Sequence, residues 1–197
     1  MSLENDPVAW EQRYQLGEIG WDRGISSVAL KLFFSRFKPG GSVLVPGCGR
    51  GHEVVELVKS NYTVTAIDIS RSAITFLESQ LALHSIEAKL IQHDFFDWSP
   101  SQPFDVIYEQ TSLCAIPVKN RKRYAKKLYD WLAVNGQLFI MFMQTEVVSG
   151  PPFHCDIKEM HALFPSDLWQ WEDLETSISL GGGKFEKMYV LTKCESL

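Results

Sequence analysis

The feature that most constrains this chain is Val43-Leu44-Val45-Pro46-Gly47-Cys48-Gly49-Arg50-Gly51-His52-Glu53-Val54, with Asp68 closing the next apolar run. Three consecutive apolar residues suit a short buried strand. Glycine at 47, 49 and 51 lets the backbone turn sharply and approach a ligand with no Cβ in the way. Val55, Leu57 and Val58 carry helical spacing on from Val54 to Asn61, and Thr63 to Ile69 reads as a second strand. Strand, glycine turn, helix, strand and acid together make a βαβ unit.

The glycines run G-x-G-x-G, so the third falls one residue earlier than in the dinucleotide fingerprint, where it packs helix on strand around a pyrophosphate. That spacing favours a nucleoside without a diphosphate. Asp68, about twenty residues past the turn, stands where a carboxylate accepts hydrogen bonds from ribose hydroxyls. S-adenosylmethionine fits both features.

The remaining strands and helices follow by periodicity. Phe33, Phe34 and Phe37 lie on a core helix that starts near Ser27 and stops before Pro39-Gly40-Gly41. Ser70 or Ser72 caps a helix to about His84, with Ile74, Leu77 and Leu81 inward. Lys89 to Gln92 is the third strand and delivers His93-Asp94-Phe95-Phe96-Asp97 at its C-terminal end, where open parallel sheets bind ligands. There Asp94 can accept from an adenine amine and Phe95 can pack on its ring. Asp97 reads as a cap or solvated acid, and His93 as a hydrogen-bonding partner rather than a base. Phe104 to Tyr108 is the fourth strand, with Glu109-Gln110-Thr111-Ser112 at the same edge of the sheet. Gln137 to Met143 is the fifth strand, a helix spans about Asp156 to Phe164, and Trp169 to Leu180 with Phe185 to Thr192 form a hairpin about Gly181-Gly182-Gly183-Lys184. The expected fold is α/β and Rossmann-like: a doubly wound, mostly parallel sheet of seven strands with an antiparallel C-terminal hairpin and helices on both faces. It is read as a single domain over residues 1–197.

Size and charge narrow the partners. A chain of 197 residues, 45% apolar and 22% charged, suits a soluble globular domain. A net charge of −5 argues against a nucleic-acid partner, which needs a basic footprint. The six basic residues Lys119, Arg121, Lys122, Arg123, Lys126 and Lys127 oppose Tyr124, Leu128, Trp131 and Leu132, so they read as the wet face of an amphipathic helix. Arg121, at the helix start, is the one placed to reach back toward an anionic substrate. No Asn/Asp-Pro-Pro-aromatic turn follows the fourth strand to receive a flipped base. No apolar run reaches ~18 residues and no secretory leader is read, so neither a membrane nor export is expected. Cys48, Cys114, Cys155 and Cys194 form no C-x-x-C pair, which suggests no metal site, no disulfide framework and a reducing cytoplasm.

The first forty residues are rich in aromatics. Trp10 and Tyr14 share one helix face, and Trp21 follows the breakers Gly17 and Gly20. They read either as core or as an aromatic lid over a sulfonium, and the lid is expected over residues 4–26.

These residues jointly resemble a family. Trp10, Tyr14, Trp21, the Val45–Gly51 turn, Asp68-Ile69-Ser70, Asp94-Phe95-Phe96, Phe104 to Gln110, Cys114-Ala115-Ile116, Gly150-Pro151-Pro152-Phe153 and Phe185-Glu186-Lys187 make the chain similar to class I S-adenosylmethionine-dependent methyltransferases of the thiopurine methyltransferase family, which includes halide and thiol methyltransferases. The resemblance implies a cofactor set of Trp10, Tyr14, Trp21, Gly47, Gly49, Asp68, Ile69, Asp94, Phe95 and Gln110, and a substrate side that includes Trp21, Arg121 and Phe153. It implies methyl transfer to the sulfur of a small thiol or thiopurine, or to a small anion such as halide, thiocyanate or sulfide, with S-adenosylhomocysteine as product; separately, the chain is expected to be a monomer. Tyr14 in place of the usual Trp, and Glu109-Gln110 in place of an Asp-led pair, depart from the better-known members. Thiolates and halides need no general base, so no catalytic residue is assigned. An NAD-dependent oxidoreductase, or a cofactor-binding protein without transferase activity, remain the other classes.

Overall fold

The glycine unit forms as read. In the computed structural model, which describes residues 6–145, 147 and 149–195, strand β1 (Ser42–Pro46) pairs in parallel with β2 (Thr63–Asp68), and β2 with β3 (Lys89–Gln92). Between them run α3 (His52–Lys59) and α4 (Arg71–Leu83). Val43, Leu44, Ala66 and Ile67 are wholly buried, the continuous apolar pattern of parallel strands covered on both faces. Helix α3 begins two residues before the expected Val54, because Gly51 adopts a left-handed conformation at its cap and turns the chain in early. Residues up to Ser99 form one compact unit and those from Pro100 a second.

Two helices precede β1. Helix α1 (Pro7–Leu16) starts from Asp6, whose side chain accepts from the Val8 amide, with Pro7 in the first turn where its missing N–H costs nothing. It ends on Gly17 at φ 72° and buries none of its residues. The first two residues of the expected lid segment lie outside the described residues. Helix α2 (Ala29–Arg36) is core: Phe33 is fully buried and packs against Phe37 and Tyr62, whose hydroxyl donates to the Phe37 carbonyl.

In the second unit β4 (Phe104–Glu109) pairs in parallel with β5 (Leu132–Gln144), and β5 pairs antiparallel with β7 (Lys184–Lys193), which pairs antiparallel with β6 (Trp169–Gly181). Helices α5 (Ser112–Ala115), α6 (Arg121–Trp131) and α7 (Ile157–Leu163) connect them. Among the described residues there are thus seven strands, mostly parallel before an antiparallel C-terminal pair, in the expected fold class. Strand β5 starts at Leu132 rather than Gln137: Leu132 already pairs with Phe104, and the residues between fold into a register shift containing Asn135 at φ 60°. Trp131, Phe139, Phe142, Phe164 and Trp169 fill this unit's core.

Candidate functional site

The turn after β1 is built around Asp68. The Gly49 amide donates to Asp68 Oδ2 at 2.8 Å, and the Ser70 amide to Oδ1 at 2.9 Å. Ile69 also bonds the carboxylate through its backbone, and of the roughly four lone-pair sites room remains for a further donor. Asp68 is 6% exposed, and burial pushes its carboxyl up; the bonds from Ser70, Gly49 and Ile69 oppose this, while the Glu11 carboxylate adds to it. The turn has no room for side chains. A Cβ on Gly51 would lie 2.5 Å from Leu77 of α4, and one on Gly49 would lie 2.9 Å from the Tyr14 hydroxyl. Gly47, Gly49 and Gly51 all take positive φ.

Beside this turn, His93 donates its amide to the Asp68 carbonyl, which brings the end of β3 alongside. Asp94 Oδ1 accepts from the Phe96 amide at 2.8 Å, and Phe95 packs edge-on to Phe96 with ring centroids 4.9 Å apart. His93 Nδ1 lies 2.9 Å from the Asp94 carbonyl and Asp97 is exposed, in the ordinary roles read for them. Ile69 is half-buried.

The aromatic segment is drawn onto the same turn. Trp21 meets Trp10 at 5.5 Å and Tyr14 at 5.7 Å between centroids, both edge-to-face, and its indole hydrogen-bonds the Tyr14 hydroxyl. Burial, then the Asp68 charge, push the Tyr14 phenol far up, so it stays neutral. All three rings are half-buried. Their faces suit a cation: the Arg13 guanidinium lies 5.4 Å from the Trp10 centroid and 5.8 Å from that of Trp21. The segment is strapped by carboxylates that the sequence reading missed. Asp22 pairs with Arg50 at 3.3 Å and with His52 Nε2 at 2.9 Å, Glu53 accepts from the Ser27 amide at 2.8 Å, and Glu11 reaches α4. The sequence places Asp22 in the run Gly20-Trp21-Asp22-Arg23-Gly24 but does not show its pairing with the distant Arg50.

A second group of polar residues gathers at the end of β4. Gln110 accepts from the Tyr108 hydroxyl at 2.9 Å and donates to Glu186 at 2.8 Å, so its carboxamide ties β4 to β7. Glu109 and Glu186 are both 0% exposed. Glu109 Oε1 accepts from the Leu113 amide at 2.7 Å, while its Oε2 has no partner among the described residues. Burial, with the Glu186 charge adding, pushes the Glu109 carboxyl up to about 8 against the pull of its backbone bonds and of Arg121. Both acids stood in motifs read from the sequence, Glu109-Gln110 after the fourth strand and Phe185-Glu186-Lys187, but neither was given a role, since nothing local shows that their carboxyls are buried.

Arg121 corrects one reading and joins two others. It is 2% exposed and therefore not on the wet face of α6, which Lys122, Arg123 and Lys126 form. Its first-turn position points it inward, where Nη1 donates to the His154 carbonyl at 3.0 Å and Nη2 to that of Phe153 at 3.4 Å. Arg121 and Phe153, both expected on the substrate side, thus stand together. The Phe153 amide in turn donates to the Cys114 carbonyl at 2.7 Å. Cys48, Cys114, Cys155 and Cys194 are free thiols, and burial pushes the first three up, which keeps them protonated. No described helix is long and apolar enough to cross a membrane.

Comparison with known proteins bears on the whole chain. Residues 5–191 match the family model of thiopurine S-methyltransferase (TPMT). Thiocyanate methyltransferase 1 of Brassica oleracea is 34% identical over 73% of this chain and 66% of its own, so the chain spans about two thirds of that relative's length. Probable thiol methyltransferase 2 of Arabidopsis thaliana is 31% identical over 79% of this chain and 71% of its own. Among solved structures, the Burkholderia thailandensis 1,6-didemethyltoxoflavin-N1-methyltransferase, determined with S-adenosylhomocysteine bound, aligns with a TM-score of 0.78 over 96% of this chain and 87% of its own, at 15% identity. That likeness shows the fold.

Proposed function

Since the chain belongs to the thiopurine S-methyltransferase family, we propose that it methylates the sulfur of a small thiol or thiopurine, or a small anion such as thiocyanate, sulfide or halide, with S-adenosylmethionine as donor. The observation that carries this reading is the turn itself: Gly49 donates to a buried Asp68 with oxygen lone pairs to spare, and a neutral Tyr14 hydroxyl rests on Gly49 while its ring meets Trp21, which in turn meets Trp10. These residues fit the donor. Asp68 takes the ribose, Asp94 and Phe95 the adenine, Gly47, Gly49 and Ile69 the backbone contacts, and Trp10, Tyr14 and Trp21 the face of the sulfonium. Gln110 stands as a further cofactor position; with its side chain engaged by Tyr108 and Glu186, it acts through its backbone. When bound, S-adenosylmethionine supplies an electrophilic methyl group, which the acceptor takes in line as its carbon–sulfur bond breaks, leaving S-adenosylhomocysteine.

The chain's own work is to hold, align and dry the reactants. Half-buried aromatic faces exclude water and attract positive charge, and stripping hydration from a small anion raises its reactivity. No proton need be removed from a thiolate or halide. A neutral thiol must lose one, and Arg121, held against the Phe153 and His154 carbonyls with its Nε unpartnered among the described residues, supplies the positive charge that favours the thiolate. The acceptor is a small molecule, and the chain acts as a monomer without nucleic acid or membrane. Its place of work is read as a reducing cytoplasm.

The test is S-adenosylhomocysteine production by the purified chain across thiols, sulfide, thiocyanate, iodide and thiopurines, with titrations of S-adenosylmethionine and NAD alongside. Release with at least one acceptor supports the proposal. Binding without turnover points instead to a cofactor-binding protein, and binding of NAD to an oxidoreductase.

A further inference from the structure

Helix α1 carries Trp10 and Tyr14, which are only half-buried against Trp21, and none of its residues is fully buried, so apolar packing alone does not explain where it stands. Glu11, between those two aromatics, does. Its Oε2 accepts from Ser70 Oγ at 2.7 Å and from the Ser72 amide at 3.0 Å, and its Oε1 from Ser72 Oγ at 2.5 Å and Gln15 Nε2 at 3.0 Å. Ser70 is the cap of α4 and Ser72 lies in its first turn, where amides face outward unpaired and the helix dipole favours an anion. That first turn contains no acidic residue of its own. Glu11 supplies the missing charge from another helix.

The same serine leads on to the ligand side. Ser70 donates its hydroxyl to Glu11 and its amide to Asp68, while Asp68 accepts from Gly49, against which the Tyr14 hydroxyl rests. The contacts close a ring from Glu11 through Ser70, Asp68 and Gly49 to Tyr14, back on the helix that Glu11 anchors. We infer that Glu11 is a positioning residue: its carboxylate latches α1 to the first turn of α4 and so sets where Trp10 and Tyr14 stand over the glycine turn. Glu11 touches no reacting atom. Burial alone would push its carboxyl up, but the bonds from Ser72, Ser70 and Gln15 outweigh this and bring it to about 2, so the latch is charged throughout the neutral range.

The inference rests on the proposed donor, and its test separates the two. Glu11→Gln keeps the size but loses the charge and sets an amide N–H₂ against one of the donors from α4; Ser72→Ala removes one donor without touching α1. Amide exchange from Trp10 to Leu16, measured without ligand, should quicken about tenfold in Glu11→Gln and less in Ser72→Ala, with the melting temperature little changed. KM for S-adenosylmethionine should rise about tenfold while kcat at saturation stays within about twofold. In the double variant, Ser72→Ala should add little to Glu11→Gln, because the contact it weakens is already broken. Unchanged exchange in that segment, or faster exchange spread over the whole chain with a lowered melting temperature, overturns the latch. So does an unchanged KM in a protein whose parent binds S-adenosylhomocysteine. A parent that binds none overturns the proposed donor, and the exchange comparison alone then decides whether Glu11 holds α1.

Discussion

Replacing Asp68 by Asn tests the ribose assignment with the least disturbance. The carboxylate accepts from Gly49 at 2.8 Å on one oxygen and from Ser70 at 2.9 Å on the other. Asn keeps one acceptor and sets its N–H₂ against the other amide, leaving one buried donor unpaired at a cost of about 1–3 kcal/mol of stability. Ala would orphan both amides and confound the result. The charge-assisted bond to a ribose hydroxyl, worth about 1.5–3 kcal/mol, is lost as well, so the Kd for S-adenosylhomocysteine should rise roughly 10- to 150-fold. Calorimetric titration with S-adenosylhomocysteine reads the affinity, and urea unfolding of the free variant reads the stability. A folded Asn variant that binds within about threefold of the parent would refute the reasoning and leave Asp68 as a strut of the turn only.

Glu109 predicts a pH dependence. Its folded carboxyl titrates near 8 against an ordinary 4.5, so the unfolded chain releases this proton first, and stability is lost as pH rises through that window, at roughly 1 kcal/mol per pH unit. Glu109→Gln should therefore gain stability over the parent between pH 5 and pH 8 in urea midpoints, and a difference that stays flat would show the acid is not held protonated. Arg121→Lys should lose the two-carbonyl grip on Phe153 and His154 and cost about 2–4 kcal/mol in the same assay; loss of thiol turnover without loss of stability would assign Arg121 to substrate alone. Trp21→Ala should lower transfer rate far more than melting temperature, since the ring is half-buried on a segment held by polar straps. Chiefly lost stability would make it core. With iodide the rate should be nearly flat from about pH 6 to 9, whereas a thiol of pKa ~8.5 should gain with its thiolate fraction, and a bell-shaped iodide profile would reveal a titrating catalytic group.

How much of this was legible in the sequence follows from what each signal depends on. The glycine turn, the acid after β2 and the order of elements are local: periodicity and breakers carry them, and β2, β3, α4 and the hairpin formed within a residue or two of their expected ends. The early start of β5 was not legible, since Leu132 joins the strand through pairing with Phe104, a partner far away in sequence. Arg121 was legible only in part, as the one basic residue placed to reach back, for a related reason. Six basic residues in nine positions average to a wet face, and only the carbonyls of Phe153 and His154, brought in by a distant loop, turn one of them inward. Glu11 and Asp22 escaped notice, and Glu109 and Glu186 were read only as members of motifs, because an acid's role depends on its partners, and Ser72, Arg50, Leu113 and Gln110 lie in other elements or turns.

The measurement that bears most directly on the central claim is S-adenosylhomocysteine release by the purified chain, supplied with S-adenosylmethionine and offered iodide, thiocyanate, sulfide, a small thiol and a thiopurine in turn, with the methylated acceptor quantified in the same sample. Methyl transfer to a sulfur or small-anion nucleophile predicts that release depends on the acceptor and matches methylated product one for one. Binding of S-adenosylmethionine with release no greater than in acceptor-free controls, across all five classes, would contradict it.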